Sequence, residues 1–94
     1  MFSITGKSAI VTGASRGVGE AIAKGFAKAG ADLVLVSRNL SALQKVAKEI
    51  EGLGRKALPI SADIGKAEDI QKAIQAALRV FPRIDILAPT KRQM

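Results

Sequence analysis

The sequence predicts an α/β protein, a doubly wound parallel sheet that ends after its fourth strand. Two observations carry that expectation. Short apolar runs rich in β-branched residues alternate with longer stretches whose apolar residues recur at helical spacing. Glycine or proline closes five of the seven segments. Such alternation means strand-helix-strand units with right-handed crossovers, so consecutive strands run parallel. A chain of 94 residues has room for one domain or part of one, and 48% hydrophobic against 24% charged residues provide a core for it.

Residues 7–12 (KSAIVT) form the first strand, apolar enough to be buried on both faces and closed by Gly13. From Gly17 the residues Val18, Ala21, Ile22, Phe26 and Ala29 keep helical spacing until Gly30 stops the first helix. Gly25, in mid-helix, implies a close helix-to-sheet contact, because a helical glycine costs ~1 kcal/mol relative to alanine. Residues 31–37 (ADLVLVS) are the second strand. Leu40, Leu43, Val46, Ala47, Ile50 and Leu53 mark the second helix, which Gly52 and Gly54 end. Asn39 and Ser41 both qualify as its N-cap, the latter with Gln44 at capping-box spacing.

Residues 56–61 (KALPIS) make the third strand, and Pro59 in its middle assigns it to a sheet edge. Ile70, Ile74, Ala77, Leu78 and Phe81 define the apolar side of the third helix, stopped by Pro82. Residues 84–88 (IDILA) are the fourth strand, with Asp85 expected to hold a loop through hydrogen bonds. From Pro89 to Met94 no periodic pattern continues.

The strand order this connectivity implies is 3-2-1-4, with two helices on one face and the third alone on the other. One helix covers ~10 to 12 Å of a face roughly 19 Å wide. The first two strands are therefore expected to leave an apolar patch bare, and the open edge of the fourth to favour self-association.

Composition limits the function. The chain has no Cys, His, Tyr or Trp, which excludes disulfides and thiolate chemistry and removes the side chains most often used for proton transfer near neutral pH. Fifteen Lys and Arg against eight Asp and Glu give +7, but the cations are dispersed and only three residues are aromatic, so no nucleic-acid partner is expected. There is no apolar run of signal-peptide or membrane-spanning length, and the expectation is a soluble cytoplasmic protein without a membrane partner.

The chemistry lies in the first strand-to-helix turn, TGASRGVG, residues 12–19. Gly13 can turn sharply off the strand, Gly17 has no Cβ to block an approaching diphosphate, and Gly19 lets the helix pack closely. The N–H groups of the helix start then face an anion. The same glycines would also serve a turn built for packing alone, but strand, loop and helix arrive in the order a Rossmann-type nucleotide site requires.

TGxxxGxG at residues 12–19, LVSRN at 35–39, SADI at 61–64 and FPRIDIL at 81–87 together resemble the short-chain dehydrogenase/reductase (SDR) family. Members of that family include 3-oxoacyl-carrier-protein reductases and related carbonyl reductases. The resemblance extends to Ala88. It implies that Gly13, Ser15, Arg16, Gly17, Val18 and Gly19 line the pyrophosphate and adenosine phosphate of a nicotinamide dinucleotide, and that Asp63 and Ile64 flank its adenine. Asp63 equally fits an Asx-type or N-cap residue ahead of the third helix.

Coenzyme choice follows from the end of the second strand. An acidic residue there accepts the ribose 2′-hydroxyl, whereas a cation leaves room for a 2′-phosphate. Here Arg38 can offer a forked, charge-assisted contact, with Arg16 as a second cation, so NADP(H) is expected over NAD(H). The alternative is that both are ordinary solvated charges.

The resemblance breaks at the end. Where the family has Asn-Asn-Ala-Gly after the fourth strand, this sequence has Pro89, Thr90, Lys91 and Arg92. The family's catalytic Ser and Tyr-x-x-x-Lys have no counterparts, and no catalytic or metal-binding residue is assigned. The expectation is a coenzyme-binding portion, residues 1–88, with a divergent tail, residues 89–94. It would be a truncated or frame-shifted relative of a carbonyl or alcohol oxidoreductase, inactive alone. The competing class is a non-catalytic interaction module that docks through its open edge onto a full-length homologue or another partner.

Overall fold

A computed structural model describes residues 5–14 and 17–88, with the backbone alone at Leu87. The expectations for Ser15 and Arg16 and for the tail at residues 89–94 fall outside the described residues. In chain order the elements are β1 (Ser8–Thr12), α1 (Gly17–Lys28), β2 (Asp32–Ser37), α2 (Leu40–Gly52), β3 (Ala57–Ser61), α3 (Ala67–Val80) and β4 (Ile86–Ala88). All neighbouring strands pair in parallel, in the order β3-β2-β1-β4.

Strand alternation divides the core into two. Ala9 and Val11 of β1 and Leu33 and Leu35 of β2 point to the side covered by α1 and α2, where they meet Ala23, Ala27, Leu43, Val46, Ala47 and Ile50. Ile10, Val34 and Val36 point to the other side and meet Ala73, Ala77 and Phe81 of α3 and its end. The central strands are apolar throughout because both of their faces are covered.

The even-numbered residues of β3 bond to β2: Lys56 O accepts from Leu33 N at 2.8 Å, and Ala62 N donates to Ser37 O at 2.9 Å. Pro59 has the opposite parity, so its missing N–H lies on the open side of the strand. It costs the ladder nothing and removes a donor from the exposed edge.

The structure corrects three expectations. The bare patch on β1 and β2 does not exist: Ile10, Val34 and Val36 are at most 4% exposed, because Phe81 and Ile84 extend the cover that α3 begins. The exposed apolar surface lies instead on α3. This helix seats on Ala73 and Ala77, whose small side chains allow close approach, and Ile70, Ile74 and Leu78 remain 37%, 38% and 45% exposed. Gly25 is exposed, and among the described residues a Cβ there would meet nothing within 4 Å beyond its own helix, so it makes no close contact with the sheet.

Helix boundaries follow capping chemistry. Asn39, not Ser41, caps α2: its Oδ1 accepts the Ala42 N–H at 3.1 Å. α3 begins before its first large apolar residue, with Glu68 and Asp69 in a first turn that favours negative charge.

Candidate functional site

Because all four strands are parallel, their C-terminal ends share one edge of the sheet, and the segment after each strand opens there. The segment after β1 makes the sharpest turn. Gly13 has φ 66°, a left-handed conformation that side chains disfavour, and its N–H donates to Val36 O at 2.8 Å. That bond ties the glycine turn to the end of β2, two residues before Arg38.

α1 starts directly after this turn. A Cβ on Gly19 would lie 2.0 Å from the Gly13 carbonyl oxygen, so the first helical turn touches the backbone that leaves β1. Gly17 is the opposite case. It is exposed, and among the described residues outside its chain neighbours a Cβ there would meet no atom within 4 Å. The helix start is thus closed against the strand through Gly19 and open to solvent at Gly17, where its first N–H groups lack intrahelical partners. Val18, beside them, is 70% exposed.

Two further segments flank this opening. After β2, Arg38 is exposed, and among the described residues its guanidinium takes no hydrogen bond or ion pair. After β3, the Ala62 N–H bonds back to the end of β2, and Asp63 and Ile64 follow. Ile64 is 41% exposed. Asp63 adopts the Asx geometry that its sequence position allowed: Oδ1 accepts the Gly65 N–H at 2.9 Å, and its own N–H donates to Asp69 Oδ2 at 2.8 Å. It does not cap α3, whose N-cap residue is Lys66.

The structure therefore brings Gly13, Gly17, Val18, Gly19, Arg38, Asp63 and Ile64 to one edge. Sequence reasoning missed Ser37 and Ser61, which hold the backbone at Arg38. Ser37 Oγ accepts the Asn39 N–H at 3.1 Å, and Ser61 Oγ donates to the Arg38 carbonyl at 3.3 Å. The signal available was a serine closing each of two consecutive strands. Asp85 acts at the edge strand, as expected: Oδ2 accepts the Ser8 N–H at 3.0 Å and Oδ1 the Arg83 Nε–H at 2.7 Å. Chiefly the Ser8 amide, with help from Arg83, holds its carboxyl below the ordinary aspartate range. Among the described residues no cluster of acidic, His or Cys side chains could hold a metal ion, and no helix is long and apolar enough to cross a membrane.

A parallel sheet with an amide-lined opening at the first strand-to-helix junction defines the nucleotide-binding class of α/β folds. The short chain dehydrogenase profile matches residues 7–90, and the chain belongs to that family. It is 40% identical over 87 residues to oxidoreductase UcpA of Salmonella typhimurium, covering 93% of this chain and 33% of that protein. Among solved structures, L-sorbose reductase from Gluconobacter frateurii, complexed with NADPH and L-sorbose, superposes with a TM-score of 0.91 at 36% identity, covering 97% of this chain and 35% of the other. The 3-ketoacyl-(acyl-carrier-protein) reductase from Brucella melitensis, complexed with NADH, does so at 0.83 and 46%, covering 90% and 34%. The chain spans about a third of the length of the curated relatives it matches first.

Proposed function

We propose that this chain is the coenzyme-binding portion of an NADP(H)-dependent oxidoreductase of the SDR family, acting on a carbonyl or alcohol. The observation that carries this reading is the junction of Gly13, Gly17 and Gly19 beside Arg38. The residues fit the group: an opening that no Cβ fills at Gly17, helix amides that favour an anion, and a cation with no protein partner among the described residues. The diphosphate would lie against residues 13–19, with Ser15, Arg16 and Val18 lining it. The adenine would lie beside Asp63 and Ile64. The nicotinamide, when bound, would supply the hydride chemistry of the whole oxidoreductase.

Relatives solved with NADPH and with NADH both share this fold, so the family alone does not choose the coenzyme. Arg38 supports NADP(H), because a guanidinium pairs with a 2′-phosphate by charge-assisted hydrogen bonds. Residues 1–88 would form the binding portion and residues 89–94 a tail, in a cytoplasmic setting. We assign no catalytic residue within these 94 residues, which contain neither Tyr nor His, and expect no carbonyl reduction from them alone.

Fluorescence titration of the 94-residue chain tests the reading. NADPH should bind more tightly than NADH, and Arg38→Ala should erase roughly a tenfold preference, the equivalent of one exposed charge-assisted contact. Equal affinities in the unaltered chain would defeat it.

A further inference from the structure

We infer that Ser37 and Ser61 form a hydroxyl clamp that aims Arg38 at the coenzyme, making both serines positioning residues for NADP(H) selectivity. The inference rests on the reading of Arg38 just given.

The clamp acts on a single peptide unit. The carbonyl of Arg38 and the N–H of Asn39 belong to the same plane; Ser61 Oγ donates to the first at 3.3 Å, and Ser37 Oγ accepts from the second at 3.1 Å. The two serines are register partners at the ends of neighbouring strands, so the sheet itself sets the spacing of the hydroxyls. Either bond alone leaves one end of the plane unheld. Together they fix the rotation about the Arg38 Cα–C bond, and so the direction in which Cβ leaves the backbone.

The surroundings brace the same unit from both sides. The Ser37 carbonyl accepts the Ala62 N–H at 2.9 Å, and Asn39 is committed to capping α2 through Oδ1 at 3.1 Å. Backbone on either side of Arg38 is held, while its guanidinium takes no protein partner among the described residues. A long side chain on a fixed base loses less freedom on binding than one on a mobile turn. The benefit goes to a ligand that Arg38 touches, which is the 2′-phosphate of NADP(H) and not the hydroxyl of NAD(H).

The test uses the 94-residue chain and the dissociation constants of NADPH and NADH, with thermal melts to confirm folding. Ser61→Ala should weaken NADPH about fivefold, the scale of one hydrogen bond, and leave NADH unchanged. Ser37→Ala should do the same, and Ser61→Thr should restore the unaltered value. Ser61→Cys, which keeps the size but is a poor donor, should behave like Ser61→Ala and serves in its place if the alanine variant fails to fold. In an Arg38→Ala background the Ser61 substitutions should have no effect on NADPH. If Ser61→Ala weakens both coenzymes equally, or weakens NADPH by the same factor without Arg38, the clamp is merely structural and the inference fails. If Arg38→Ala shifts the NADPH to NADH ratio and neither serine does, the inference fails and the coenzyme reading survives. If Arg38→Ala leaves the ratio unchanged, both fall.

Discussion

The two faces of the sheet are made by the same four strands and closed in different ways. On one face α2 lays large side chains into the core, with Leu43 and Ile50 fully buried against Leu33 and Leu35, while α1 packs beside it through Ala23 and Ala27 with Ile22 and Phe26 half-buried. On the other, α3 approaches through Ala73 and Ala77, Phe81 plugs the end, and the larger residues Ile70, Ile74 and Leu78 stay at the rim. The difference teaches that burying a sheet face and burying the helix on it are separate matters. With Phe81 and Ile84, α3 buries Ile10, Val34 and Val36 while much of its own apolar surface remains wet.

The largest expected effect is on the two-helix face. Ile50→Ala removes a fully buried side chain from a packed cluster and should cost about 2 to 5 kcal/mol. For a domain of this size that lowers the melting temperature by on the order of 10 °C or more. Thermal denaturation followed by circular dichroism measures it. A loss below about 1 kcal/mol would show that this face is loosely packed and that the contrast drawn here is wrong.

The same contrast governs which parts could be read from the residues. The α2 half of the two-helix face was legible because its large apolar residues, Leu43, Val46 and Ile50, are also the buried ones. α1 instead buries Gly19, Ala23 and Ala27, and of the residues its spacing marks Val18 is 70% exposed and Ile22 and Phe26 are half-buried. α3 partly misleads the same reasoning: of the residues periodicity marks, Ala77 and Phe81 are buried while Ile70, Ile74 and Leu78 stay exposed, and the contact also uses Ala73, which carries little hydrophobic signal. The glycine turn was legible because backbone conformation and close approach demand glycine at Gly13 and Gly19. Gly25 was misread because a glycine on an exposed helical surface has the same appearance in the sequence. The serine clamp went unseen because it depends on strand register, which brings Ser37 beside Ser61 across 24 residues of chain, as no local pattern does.

Charge separates the regions in a second way, and pH should expose it. On the two-helix face Lys24 of α1 reaches Glu20 at 2.6 Å and Glu49 of α2 at 2.5 Å. The hydrogen bond to Glu20 and then that to Glu49 raise the lysine above its ordinary range. A raised folded value means that its stabilisation is complete below the unfolded lysine value of about 10.4, and fades as pH climbs through the folded one. At the β1–β4 edge the sign reverses. The lowered Asp85 stabilises above the unfolded aspartate value of about 3.9 and fades as pH falls through the folded one. Stability measured against pH should therefore lose part of its alkaline decline in Lys24→Met and part of its acid decline in Asp85→Asn. Both effects are expected to be smaller than that of Ile50→Ala, since these groups lie at the surface. An acid limb that Asp85→Asn leaves unchanged would mean that the carboxylate does not fasten β4 to β1.

The smallest effect tests the wet side of α3. Leu78 is 45% exposed, so Leu78→Gln gives up only part of a leucine's burial and keeps a good helix former, and should cost less than about 1 kcal/mol. Its value lies in being read beside Ile50→Ala under the same conditions. If the two losses were equal, Leu78 would have to be covered in solution, and the rim of α3 would belong to a packed surface. If Leu78→Gln is nearly neutral while Phe81→Ala costs about 3 to 5 kcal/mol, the α3 face is held by its plug and its alanine seat, with the rim contributing little.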